Sequence, residues 1–137
     1  MTLYKAQGSL RYTSRYWLIL DCDQQIADYY RALMPKYMDV RRPRYGAHIT
    51  ISRPEVEMPS NLVFWRAFEG ENIEFYYEPC VRFGESGMYY WLNCFSNRLD
   101  ELRRDLGLAV EPRDNTPEGF GKTYHMTVAN RKHLLDI

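Results

Sequence analysis

The 137 residues include three histidines, and two of them stand in the same short pattern: His48-Ile49-Thr50 and His125-Met126-Thr127. On an extended strand, residues two apart share a face. Each histidine is therefore paired with a threonine on one face. Ile49 and Ile51, or Met126 and Val128, occupy the other face and belong to a core, so the His/Thr pairs face a cleft. Two imidazoles titrating near neutrality can hold opposite protonation states at once. A neutral ring takes a proton from an attacking hydroxyl or water, and a protonated ring delivers one to the leaving oxygen. Threonine hydroxyls donate hydrogen bonds to the non-bridging oxygens of a phosphate. These residue types suit phosphodiester chemistry, and the scheme calls for no metal and no other cofactor. A zinc site needs three or four ligands, and neither motif has a carboxylate or thiol partner alongside. His133, in the basic tail Arg131-Lys132-His133, reads as a surface residue.

The elements that must position these pairs come in a repeated order. Ser14 to Cys22 is rich in aromatic and branched residues and reads as a strand. Asp23 is a helix N-cap, followed by Ile26, Tyr29, Tyr30, Leu33 and Tyr37 at helical spacing, with Pro35 ending the helix. A second strand spans Ala47 to Arg53. Further on, Met88 to Phe95 reads as a strand, and Ser96 or Asn97 caps a helix whose Leu99, Leu102 and Leu106 share a face, closed by Gly107. A polar loop from Glu111 to Gly121 leads to the last strand, Tyr124 to Ala129. Tyr16-Trp17-Leu18 is echoed by Tyr90-Trp91-Leu92, and each copy begins a strand–helix–strand unit that ends in His-x-Thr. Such a repeat predicts a single, pseudo-twofold, bilobal α+β domain over residues 1–137. Its first lobe is about 14–53 and its second about 88–129. The segment 54–87 is the hardest to assign, with strand-like runs at 73–78 and 80–83 broken by Pro79.

Paired His-x-Ser/Thr motifs in a duplicated α+β unit resemble the 2H phosphoesterase superfamily. That resemblance implies two antiparallel sheets facing a central cleft with helices outside. It also implies catalytic roles for His48 and His125, phosphate binding by Thr50 and Thr127, and metal-independent action on cyclic phosphates or RNA-type phosphodiesters. Within the superfamily, the small size, the aromatic content, Tyr12, Ser14-Arg15-Tyr16-Trp17 and the Tyr45-Gly46-Ala47 approach to His48 resemble the phage anti-CBASS nucleases. Those enzymes cleave the cyclic di- and trinucleotide messengers of bacterial antiphage defence. The substrate expected on that basis is a cyclic oligonucleotide or RNA-type phosphodiester attacked by its own 2′-hydroxyl. DNA, which lacks that hydroxyl, is excluded as a substrate. A 2′,3′-cyclic phosphodiesterase of RNA processing and a module that sequesters a nucleotide without turnover are the alternatives.

Composition narrows the field further. Eighteen Lys and Arg balance eighteen Asp and Glu, which argues against binding nucleic acid by bulk charge. Aromatics make up 15% of the chain, enough both for a compact core and for stacking on bases. Tyr12 and Trp65 are candidates for base stacking; Arg15, Arg44 and Lys122 are candidates for neutralising phosphate. Arg41-Arg42-Pro43-Arg44 is the densest basic patch. No stretch approaches the roughly 20 apolar residues of a membrane helix, and the N-terminus lacks the apolar run of a signal peptide. A cytoplasmic location, host cytoplasm for a phage protein, is the expectation, with no membrane partner.

Overall fold

Lys5-Ala6-Gln7-Gly8-Ser9-Leu10-Arg11-Tyr12 alternates polar residues with apolar or small ones, the pattern of a strand with one buried face. In the computed structural model, which describes residues 2–136, this segment forms β1 (Tyr4–Tyr12), with Leu10 and Tyr12 buried. It is not among the strands expected from the sequence. A tight turn follows, in which the Thr13 hydroxyl accepts from the Trp17 amide and Tyr16 takes a left-handed backbone conformation. The next strand, β2, therefore begins later than expected, at Leu18, and runs Leu18–Cys22. Asp23 caps α1 (Gln24–Ala32) by accepting from the Gln25 amide.

β3 (His48–Ser52) carries the first motif, and β4 (Asn72–Phe83) joins the two strand-like runs at 73–78 and 80–83 into one strand. Pro79 sits inside β4 where the pairing with the next strand shifts register, between Tyr77 and Val81. A residue without an N–H fits such a bulge. β5 (Tyr89–Phe95) leads to α2 (Asn97–Asp105), capped by the Ser96 hydroxyl, and β6 (Tyr124–Asn130) carries the second motif. Among the described residues no helix is long and apolar enough to cross a membrane.

The six strands close into one antiparallel barrel in the order β1-β2-β3-β6-β5-β4. This overturns the expected α+β arrangement of two sheets facing a central cleft. The cause lies in the two strands that were not anticipated as staves. β1 and β4 pair from Tyr4↔Tyr77 to Ser9↔Asn72, and this ladder joins the two halves at one seam, while β3 and β6 join them at the other. No lobe boundary remains. Leu10, Leu20, Ile49, Phe75, Leu92, Met126 and Val128 lie in the core. α1 adds Ala27 and Tyr30 to it and packs against β6; α2 adds Leu99 and Leu102 and packs against β4 and β3.

The repeat is visible within the barrel. Exchanging β1 with β4, β2 with β5 and β3 with β6 leaves the strand order unchanged. Asp21 pairs with His48 on one side, and Asn93 pairs with His125 on the other. The structural correspondence is thus slipped by two residues from the Tyr-Trp-Leu match. Both motif strands also bulge at the residue after threonine. Leu18↔Ser52 and Ile19↔Thr50 leave Ile51 unmatched, and Tyr90↔Ala129 and Trp91↔Thr127 leave Val128 unmatched. Bulges of this kind re-aim side chains beside functional sites.

Close approach of β1 to β2 depends on Gly8. A Cβ there would lie 2.6 Å from Leu20 Cγ and 2.7 Å from the Asp21 carbonyl oxygen. Backbone cannot yield cheaply, so Gly8→Ala is expected to destabilise the protein by about 1–3 kcal/mol, the usual cost of overpacking. Urea or thermal unfolding reads this directly; unchanged stability would show that β1 is not held this tightly.

Candidate active site

Ile49 and Met126 are both fully buried and face each other across the β3–β6 seam. Antiparallel register then sets His48 opposite Thr127 and Thr50 opposite His125, all four on the face turned away from the core. Directly opposed residues stand about 4.5–5.5 Å apart at Cβ, and diagonal ones about 7–8 Å. The histidines therefore occupy one diagonal of a four-cornered patch and the threonines the other. The patch lies on the outside of the barrel, not between two lobes.

The two ends of the patch open into different clefts. Thr50, His125 and Thr127 line a cleft of about 330 Å³ together with Ser52, Arg53, Glu57, Arg113, Lys122 and Thr123. His48 lines a neighbouring cleft of about 600 Å³ with Arg15, Trp17, Ile19, Tyr45 and Glu55. The His48 ring is turned back toward its own approach: Nδ1 lies 2.7 Å from the Gly46 carbonyl oxygen. A carbonyl only accepts, so Nδ1 carries the hydrogen and Nε2 is the free position.

His125 has different surroundings. Trp91 stacks on its ring, with centroids 4.8 Å apart and planes 29° from parallel, while the residue stays accessible to solvent. The Trp91 indole N–H donates to the Asn93 side-chain oxygen at 3.1 Å. Asn93 is fully buried, and its amide nitrogen has no partner among the described residues. Desolvation, together with the charges of Arg113 and Lys122, pushes His125 down to about 4. Such a ring is neutral at pH 7. Lys122 is also lowered, by burial and by Arg103 and Arg113 nearby.

The loop that brings in Arg113 and Lys122 is held from α2. Asp100, fully buried, accepts from the Gly121 amide and the Tyr124 hydroxyl, each at 2.8 Å. A side chain at position 121 would meet Val110 Cγ1 at 2.5 Å, which explains the glycine. On the other side of the loop, the Thr123 hydroxyl bonds to Thr116 and to Asn115.

Of the other sequence candidates, Lys122 joins the His125 cleft and Arg15 joins the His48 cleft. Tyr12 does not offer a face to a ligand: it is 4% exposed, packed edge-on against Trp65 at 4.8 Å. Neither Tyr12 nor Trp65 lines either cleft, and Arg44 lies beside Tyr45 without lining one. Trp17 and Tyr45, carriers of the resemblance, line the His48 cleft; Arg113, Trp91 and Asn93 were not anticipated. Strand alternation puts Trp91 and Asn93 on one face of β5, but their place beside the second motif is set by the β5–β6 register, which the sequence does not state; Arg113 sits in a polar loop that has no pattern of its own. No group of three His, Cys, Asp or Glu side chains able to hold a metal ion stands together among the described residues. No family model, curated protein or solved structure matches the chain.

Because removing a neighbouring cation favours the charged ring, Arg113→Gln is expected to raise the titration point of His125 from its lowered position. An NMR titration of the imidazole Cε1–H resonances tests both statements. A His125 that titrates at the ordinary imidazole value in the unliganded protein would contradict them.

Proposed function

We propose that the protein is a phosphodiesterase that cleaves 3′–5′ ribonucleotide linkages by two-histidine acid–base catalysis, with cyclic di- or trinucleotides as its substrate class. The observation that carries this reading is the crossing of the two diagonals at the β3–β6 seam. A phosphate centred on the patch has both threonine hydroxyls available to its non-bridging oxygens, and an imidazole on each of two opposite sides. In-line displacement at phosphorus needs that disposition, since the attacking and leaving oxygens stand opposite each other. The cyclic substrate follows from the resemblance of the paired motifs to the anti-CBASS nucleases.

The surroundings divide the roles. His125, kept neutral beside Arg113 and Lys122, is the base. It takes the proton of the 2′-hydroxyl as that oxygen bonds to phosphorus. His48 is the acid. Its Nδ1–H is held by the Gly46 carbonyl, and its Nε2–H is given to the departing 5′-oxygen as the P–O5′ bond breaks. The products of this step are a 2′,3′-cyclic phosphate end and a free 5′-hydroxyl. The threonine hydroxyls support the charge that builds on the phosphoryl oxygens.

The test is an assay in EDTA on cyclic di- and trinucleotides, a linear RNA and a 2′,3′-cyclic mononucleotide, with His48→Ala and His125→Ala alongside. Each substitution is expected to cost about 10²–10⁴-fold in kcat. A nucleoside 3′-(4-nitrophenyl phosphate) separates the roles, because its leaving group needs no proton. His48→Ala recovers on that ester, whereas His125→Ala does not. Turnover of the 2′,3′-cyclic mononucleotide alone would move the assignment to RNA-end processing, and binding of all substrates without turnover would replace the enzyme with a sequestering module.

A further inference from the structure

We infer that the cleft on the His125 side holds a second phosphoryl group of the substrate, bound by Arg113 and Lys122 next to the scissile phosphate. This rests on the phosphodiester reading of the His/Thr patch and specifies its substrate class. The substrate then carries at least two phosphoryl groups, as an oligonucleotide or cyclic oligonucleotide does and a 2′,3′-cyclic mononucleotide does not.

The argument is one of charge and place. The chain is neutral as a whole, and many of its arginines are matched: Arg11 with Asp21, Arg31 with Asp28, Arg82 with Glu78, Arg98 with Glu71 and Arg103 with Glu57. Arg53, Arg113 and Lys122 form no ion pair with a described carboxylate, yet all three line one cleft. The acid there, Glu57, is already bound by the buried Arg103 guanidinium. Arg53 and Arg113 are exposed, whereas Lys122 is half-buried and already lowered by burial and by the charges of Arg103 and Arg113; an anion between such cations relieves their repulsion. One phosphodiester brings a single negative charge, and the threonine diagonal already serves it. The cleft also contains Ser52, whose buried hydroxyl has no partner among the described residues. Across the seam no such excess exists: Arg11 is bound to Asp21, and Arg15 shares its cleft with Glu55. The additional anion therefore belongs on the His125 side alone.

Calorimetry with inorganic pyrophosphate and with orthophosphate tests the site without reference to turnover. Pyrophosphate is expected to bind more tightly, and Arg113→Gln or Lys122→Gln to weaken it by about tenfold each, the scale of one charged hydrogen bond. In parallel, KM is measured at pH 8 for a ribodinucleotide without a terminal phosphate and for its 5′- and 3′-phosphorylated forms. One terminal phosphate is expected to lower KM in the wild type, and that gain is lost in both variants. Equal binding of the two anions, or pyrophosphate binding unaffected by both substitutions, overturns the proposal. Turnover indifferent to the terminal phosphate overturns the second subsite and leaves the catalytic reading standing. Arg113-dependent pyrophosphate binding without turnover of any dinucleotide keeps the anion site and removes the catalytic reading.

Discussion

Register at the β3–β6 seam is the constraint on which the site depends. Side chains alternate along a strand, so a slip of one residue would send the histidines and threonines inward and Ile49, Ile51, Met126 and Val128 outward. Each of those four apolar side chains contributes about 1.5–3 kcal/mol by its burial. Losing them together would cost an amount comparable to the whole stability of a typical domain, about 5–15 kcal/mol. The core therefore sets the His/Thr patch. It does so through Ile49 and Met126, the middle residues of the two motifs, which meet across the seam. The two histidines and two threonines sit on the reverse of a hydrophobic contact.

Registration alone would leave the approaches to the patch loose, and each helix supplies a clamp. On α1, the Gln24 side-chain oxygen accepts from the Ala47 amide at 2.7 Å, just ahead of His48. On α2, Asp100 accepts from the Gly121 amide, just ahead of the second motif. Arg103, also on α2 and 2% exposed, ties three further segments together. It donates to the Ile51 carbonyl at the β3 bulge, to the Ala109 carbonyl and to the Glu57 carboxylate. Removing one partner of such a buried pair strands the other charge, a loss of about 3–5 kcal/mol. Glu57 is in this way paired within the cleft that it lines, alongside Arg53, Arg113 and Lys122, which form no ion pair with a described carboxylate.

The motif strands were legible because a period-two pattern, a helix cap and a buried helical face are local signals. His48, Thr50, His125 and Thr127 came from that pattern, and the seam brings them to one face. The way the strands close on each other was not legible. β1 shows clean alternation, but its mixed small and polar residues gave no apolar run, and β4 was obscured by Pro79, which its bulge accommodates. Without those two strands the repeat implied two lobes. With them it forms one barrel. Tyr12 was misread for a related reason: an aromatic residue at a strand end packs inward or outward depending on a register that the sequence does not state. Arg113 was invisible because its position depends on a loop held at a distance by Asp100.

Duplication explains why the patch has matched corners, and the departures from duplication explain how matched corners could act differently. Asp21, bound by Arg11, stands opposite His48, while the uncharged Asn93 stands opposite His125. Three residues before the histidine comes Tyr45 in one half and Lys122 in the other. His48 thus opens onto a cleft walled by Trp17 and Tyr45, and His125 onto a cleft whose Arg53, Arg113 and Lys122 form no ion pair with a described carboxylate. A nucleotide is itself divided in this way, with a flat apolar base at one end and charged phosphate at the other. On the proposed reading, the halves keep the symmetry where the phosphorus is gripped from both sides. On the same reading, they break it where the two sides of the proposed substrate, and the two proton transfers, are not alike.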